Sequence, residues 1–125
     1  MNLASAAAIM GLGAFALAQP TITHAETLRW KCDYRSNLSP TGLAAEKLSL
    51  GFALDTITGK AVISGNRGMS NVAVVSGDDA ITFQETLDGG AVQSTTITKN
   101  GSSVHSRHTM RLGKLTPAQY YGTCK

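Results

Sequence analysis

The sequence lacks an apolar run long enough to span a bilayer comfortably, and it carries little charge of either sign. A transmembrane helix needs about 20 consecutive apolar residues, whereas the apolar stretch of this chain covers only residues 3–18. Lys and Arg number 11 and Asp and Glu number 8, without the clustered basic residues of a nucleic-acid-binding protein. We therefore expect no nucleic-acid partner, and no stable membrane insertion once the N-terminal stretch has been removed.

The first 25 residues have the character of a secretory signal peptide. The apolar stretch is followed by Thr23-His24-Ala25, and small residues at the third-last and last positions before a cut suit signal peptidase. We expect cleavage after Ala25, with Ala18 as a second acceptable site and an uncleaved membrane anchor as the alternative. The mature protein would then be a single domain of residues 26–125, exported to the periplasm or the extracellular space.

Cysteine is scarce as well, and its placement is informative. Cys32 lies near the start of the predicted mature chain and Cys124 lies next to its end. In an oxidising compartment this arrangement predicts one disulfide that ties the two ends together. The alternative, two free or metal-binding thiols, lacks a second ligand at the short spacing of a metal site.

What the chain does contain is a series of short runs with alternating apolar and polar residues. This period of two predicts half-buried β-strands, and Asp88-Gly89-Gly90 and Asn100-Gly101 are strong hairpin-turn signals between them. The predicted class is all-β, a small antiparallel meander of about seven strands that forms a sandwich or partly closed barrel. The predicted strands cover residues 28–35, 48–54, 61–64, 71–75, 80–87, 91–98 and 103–112.

After the last predicted strand, the sequence favours a short helical turn near the C-terminus. Thr116 is suited to the N-cap and Pro117 to the first helical position. We therefore expect one helical turn there before the chain returns to Cys124.

No catalytic or metal-binding constellation stands out, so we predict a protein that is not an enzyme and that holds no cofactor and no metal. On a strand, the three-residue spacing of His105 and His108 puts them on opposite faces, which argues against a metal pair. If the face of His108 were the core face, Ser106 and His108 would share a polar site in the interior. A small hydrolase that uses Ser106 and His108 is thus the weakest functional hypothesis, because no nucleophile elbow accompanies them.

Positive charge on two strands suggests a binding surface. Arg29, Lys31 and Arg35 share the predicted wet face of the first strand, and His105, Arg107 and Arg111 share that of the seventh. If the sheet closes, these rows could merge into a basic stripe that attracts an acidic protein or an anionic envelope component. The alternative is an ordinary solvated face.

A binding or interaction module is therefore the leading functional hypothesis. The general plan, a signal peptide before a small β domain closed by a terminal disulfide, is similar to that of periplasmic lysozyme-inhibitor domains. The Ser-Gly-x-x-Tyr inhibitory loop of such domains is absent, so no residue role is transferred. An inhibitor of an envelope or host hydrolase is the alternative function.

Overall fold

The computed structural model describes residues 26–125, which form eight antiparallel strands that close into a barrel. Each strand pairs with its neighbours in sequence, and the last strand returns to pair with the first. The strands are β1 (Thr27–Ser39), β2 (Gly42–Asp55), β3 (Ala61–Gly65), β4 (Gly68–Ser76), β5 (Ala80–Thr86), β6 (Val92–Thr98), β7 (Ser102–Arg111) and β8 (Lys114–Cys124). The predicted signal peptide lies outside the described residues. Residues 26–125 contain no helix that could span a bilayer.

The predicted all-β class is confirmed, because alternation does set which side chains face inward. Trp30, Cys32 and Tyr34 of β1 face the interior, while Lys31 and Asp33 between them are exposed. The same period holds along β2, where Leu48, Leu50, Phe52 and Leu54 all contribute to the core.

The predicted disulfide is also present and lies at the seam where the barrel closes. Cys32 of β1 and Cys124 of β8 are directly opposite one another in the ladder and are bonded through their sulfurs. Beside them, Lys31 and Lys125 exchange two backbone hydrogen bonds, of 2.9 and 3.0 Å. The ends of the domain are therefore joined both covalently and by a sheet ladder.

The predicted helical turn near Thr116 is wrong, because Lys114–Cys124 is a full strand. Ala118 and Tyr120 pack inward on the same face as Cys124, and β8 supplies the backbone partners of both β1 and β7. Proline has no backbone N–H to donate to a neighbouring strand. Pro117 is tolerated in β8 because the pairing of β8 with β1 ends at Gln119, before Pro117. The one short helical turn in residues 26–125 is a 3-10 turn at Asp88–Gly90, where the sequence predicts a hairpin turn.

The barrel has one filled end and one open end. At the filled end, the Phe83 ring stacks on Phe52 at a centroid distance of 4.6 Å and meets the edge of Trp30 at 5.5 Å. This end adjoins the turns at residues 56–60, 77–79 and 99–101. We call the opposite end the mouth. It adjoins the turns at residues 40–41, 66–67, 87–91 and 112–113.

Candidate binding site in the barrel mouth

The mouth opens into a cavity of about 800 Å³ whose wall carries charged and hydrogen-bonding side chains. Tyr120 of β8 lines the cavity. It lies in a row with two buried side chains, because Thr95 of β6 pairs with His105 of β7 and His105 pairs with Tyr120. The next row toward the mouth places Arg107 beside Gln93. The charged residues that line the cavity are Glu46, Lys47, Arg67, Glu85, Arg107 and Arg111.

His105 is completely buried and is hydrogen-bonded at both ring nitrogens. Nε of Arg107 donates to Nε2 of His105 over 3.2 Å, and Nδ1 lies 2.6 Å from the hydroxyl oxygen of Thr95. Because the guanidinium can only donate, Nε2 must be the accepting nitrogen and Nδ1 carries the proton. The Nδ1–H therefore donates to Thr95, and the imidazole is fixed as one tautomer.

The imidazole of His105 is also kept neutral. Burial, and to a smaller extent the charge of Arg107, lowers the pKa of His105 to about 4. A neutral ring can accept the hydrogen bond from Arg107, whereas an imidazolium cannot. The hydrogen bond to His105 therefore positions Arg107 without neutralising its positive charge.

Arg107 is positioned a second time by Tyr120. The guanidinium carbon lies 5.2 Å from the centre of the Tyr120 ring, which is a cation–π contact. With Nε bonded to His105 and its plane over Tyr120, the side chain is restrained along its length.

Glu46 is bound at the other side of the same tyrosine. The Tyr120 hydroxyl donates to one carboxylate oxygen over 2.8 Å, and the Asn37 amide donates to the other over 3.1 Å. These two bonds, chiefly that from Tyr120, lower the pKa of Glu46, with a smaller contribution from Arg107. Burial and the Glu46 hydrogen bond raise the pKa of Tyr120, so the pair is a neutral phenol that donates to an ionised carboxylate.

A second set of buried polar side chains, Tyr34 and Ser103, is also hydrogen-bonded in the interior. Ser103 donates to the backbone carbonyl of Thr96 over 2.9 Å, so its oxygen is free to accept from the Tyr34 hydroxyl, also at 2.9 Å. Burial raises the pKa of Tyr34. Both side chains are buried, so their hydroxyl groups are hydrogen-bonded within the interior.

The structure divides the six residues of the predicted basic stripe between the two faces of the barrel wall. Arg29, Lys31 and Arg35 are exposed on the outer face of β1. Arg107 and Arg111 line the mouth cavity, and His105 is buried beneath it. The two rows therefore do not merge into one stripe.

The reason is the phase of β7, which the sequence leaves open. Ser103 and His105 are inward and His108 is exposed, so the interior histidine is His105 rather than His108. Ser106 and His108 lie on the outer side, where they face Gln119 and Pro117 of β8. This contradicts the hypothesis of an interior Ser106–His108 pair.

Sequence reasoning missed Glu46, Asn37 and Tyr120. Asn37 and Glu46 lie between two predicted strands and Tyr120 lies in the predicted helical turn, but the alternation of the neighbouring strands extends to two of them. Glu46 continues the inward series of Leu48 and Leu50, and Tyr120 continues the series that ends at Cys124. Asn37 follows a bulge between Tyr34 and Ser36, which shifts the phase and hides it from a period-two reading.

Across residues 26–125, no three His, Cys, Asp or Glu side chains come together in a group that could hold a metal ion. No known protein family, curated protein or solved structure matches the chain.

Proposed function

We propose that the protein is an exported binding module whose barrel mouth accepts an anionic group, a carboxylate or a phosphate, of an acidic protein or an anionic envelope component. The observation that carries the proposal is the positioning of Arg107. Its guanidinium is oriented by a neutral histidine and an aromatic ring, and neither partner neutralises it.

Charge balance in the cavity supports an anionic ligand. Four cationic residues line it against two acidic ones, and both acidic side chains already accept hydrogen bonds. Glu46 accepts from Tyr120 and Asn37, and Glu85 accepts from Gln93. The acidic groups are therefore internally satisfied, while the guanidinium groups keep donors available for a ligand.

The preorganised side chain of Arg107 favours binding in addition to its charge. Arginine forms two parallel hydrogen bonds to a carboxylate or phosphate. Ordering a long side chain on binding lowers affinity. Arg107 is already ordered in the free protein by its contacts with His105 and Tyr120, so less conformational freedom is lost when a ligand binds. A side chain held in this way favours specific recognition over general charge attraction.

Export is supported by the disulfide. Structural disulfides persist in oxidising compartments, and Cys32 and Cys124 form one in this domain. The pattern Thr23-His24-Ala25 before the first strand is consistent with removal of a signal peptide.

The proposal can be tested by titrating the mature protein with inorganic pyrophosphate and with a short polyglutamate peptide while amide chemical shifts are recorded. We expect shifts to concentrate at the mouth, and Arg107→Gln to weaken binding about 10- to 100-fold, as for loss of a charged hydrogen bond. Arg35→Gln is the matched control, because it removes the same charge from the outer face.

The two substitutions separate specific from general binding. Equal loss in both variants would assign the effect to net charge, and absence of binding by either probe would count against the mouth as an anion site. Charge reversal at Arg107 and Arg111 to Glu should also abolish the salt dependence of binding.

A further inference from the structure

The tip of the β7–β8 hairpin combines two features that folding alone does not favour. Leu112 occupies the first turn position with a φ of +50°, the only positive φ of a non-glycine residue in residues 26–125. Asn, Asp and Gly suit such a position, whereas leucine is strained there. Its side chain is also fully exposed, at 102% of its reference area, so it gains no stability from packing.

The residues around Leu112 extend this apolar tip and add positive charge. Met110 and Leu115 are more than half exposed, and Arg111 and Lys114 flank the turn and are also exposed. From residue 89 to residue 125 the sequence contains no Asp or Glu. The hairpin is therefore a cationic projection with an apolar centre.

The same end of the barrel carries further exposed apolar side chains. Leu38 and Leu43 belong to the β1–β2 hairpin, which adjoins β8 through the pairing of Leu38 with Gln119. Met69 stands beside the turn between β3 and β4. With the tip, these are six of the ten large apolar residues that are highly exposed in the described part of the chain, so exposed apolar surface is concentrated around the mouth.

We propose that the tip of the β7–β8 hairpin docks on the surface of an anionic phospholipid bilayer. Leu112 would enter the boundary between headgroups and acyl chains, where an exposed leucine is removed from water. Arg111 and Lys114 would keep their charged groups at the level of the lipid phosphates, because their long apolar stems allow the charge to remain outside the hydrocarbon.

A bilayer suits this tip better than an acidic protein surface does. Such a surface would attract the two cations but would stabilise Leu112 only if it also contained an apolar pocket at that point. A bilayer offers both environments at every position. This inference goes beyond the proposed binding in the mouth and does not depend on it, although docking would bring the mouth close to the lipid surface.

The test is co-sedimentation of the mature protein with vesicles of phosphatidylglycerol and phosphatidylcholine, compared with vesicles of phosphatidylcholine alone. We expect preferential binding to the anionic vesicles that weakens as salt is added. Leu112→Asn should lower vesicle affinity about tenfold without lowering the thermal midpoint, because asparagine accepts the turn conformation better than leucine does.

Two control variants define the result. Ile57→Asn removes an apolar side chain that is 55% exposed in the turn at the opposite end of the barrel, and it should leave vesicle binding unchanged. Arg107→Gln changes the mouth but not the tip, so it should retain vesicle binding while it loses pyrophosphate binding. The emission of Trp30, in the filled end, reports whether each variant is folded.

Three outcomes would overturn the inference. They are equal binding of the wild type to both vesicle types, unchanged vesicle binding by Leu112→Asn, and binding of polyglutamate that depends on Leu112 when vesicles are not bound. The last would identify the occupant of the tip as a protein, such as a hydrolase that this chain inhibits.

Discussion

Arg107 determines which nitrogen of His105 carries a proton. The guanidinium Nε–H donates to Nε2 of the imidazole over 3.2 Å, so the remaining proton must lie on Nδ1 and be donated to Thr95. The neutral ring therefore connects the polar layer of the interior to the arginine of the mouth.

This connection predicts that acid destabilises the fold through His105. Its pKa is about 4 when folded, against an ordinary value of 6.5, so the unfolded chain binds more protons between these pH values. The contribution of His105 to the free energy of unfolding is fully present above pH 6.5. It is lost as the pH drops toward 4, and the loss is at most about 3 kcal/mol. Urea unfolding of the wild type and of His105→Gln at pH 7 and pH 4.5 measures the difference.

In that experiment the wild type should lose more stability than His105→Gln. Glu46 and Asp55 have lowered pKa values and also lose stabilisation in acid, but they do so in both proteins. The charged and titratable groups around the ring are Arg107, Tyr34 and Tyr120. An imidazole that titrates near pH 6.5 in NMR spectra would contradict the prediction.

The disulfide should account for a large share of the stability. Cys32 and Cys124 are 92 positions apart, and the chain-entropy model assigns about 4–5 kcal/mol to a loop of this size. We expect the double variant Cys32→Ser, Cys124→Ser to lose that amount in urea unfolding, and to be insensitive to added reductant. A loss below about 1 kcal/mol would show that the β1–β8 ladder closes the barrel without the covalent bond.

Gly122 should tolerate no side chain. A Cβ at this position would overlap the carbonyl oxygen of Asp33 and would lie 2.6 Å from Cα of Tyr34, both on the backbone of β1. Gly122→Ala must therefore separate β1 from β8, and we expect a loss of at least about 3 kcal/mol or failure to fold.

The control is Gly59→Ala in the turn after β2. Unlike Gly122, Gly59 has a positive φ, of +74°, but no atom lies within 4 Å of its Cβ position. Only the backbone cost of about 1–2 kcal/mol applies there. Equal losses at the two positions would show that close approach of the strands is not the cause.

The buried Tyr34–Ser103 pair should respond asymmetrically to deletion. Tyr34→Phe leaves Ser103 bonded to the Thr96 carbonyl, so the expected cost is about 1 kcal/mol. Ser103→Ala leaves the buried Tyr34 hydroxyl without its acceptor, so the expected cost rises to about 1–3 kcal/mol. Thermal unfolding of the two variants measures the order, and a larger loss for Tyr34→Phe would contradict the assigned donor.

Most of the strands were predictable because their apolar residues alternate without interruption. The runs at residues 28–35 and 48–54 show this period, and both fall within observed strands. β8 was not predictable in the same way, because Thr116 and Pro117 are also the residues that begin a helix. Pairing with β1 and β7 outweighs that local preference, since closure of the barrel satisfies the edges of both strands.

The candidate site was predictable only in part. Arg107 and Arg111 were identified as charged residues of one strand face, but a period of two does not reveal which face is inside. Glu46 and Asn37 meet Tyr120 only because distant segments of the chain are brought together by the barrel. The residue separation in the Tyr120–Glu46 bond is 74, a distance over which local sequence carries no signal.

The amino-acid sequence by itself determined the β class, the turns and the pairing of its two cysteines, because each follows from nearest-neighbour periodicity or from the number of thiols. Only the tertiary structure decided that His105 is inside and that Arg107 stands in the mouth beside Tyr120. The inward face of a strand is selected by what the other strands bury. That choice depends on the packing and hydrogen bonding of the whole closed sheet, which no short stretch of the chain contains.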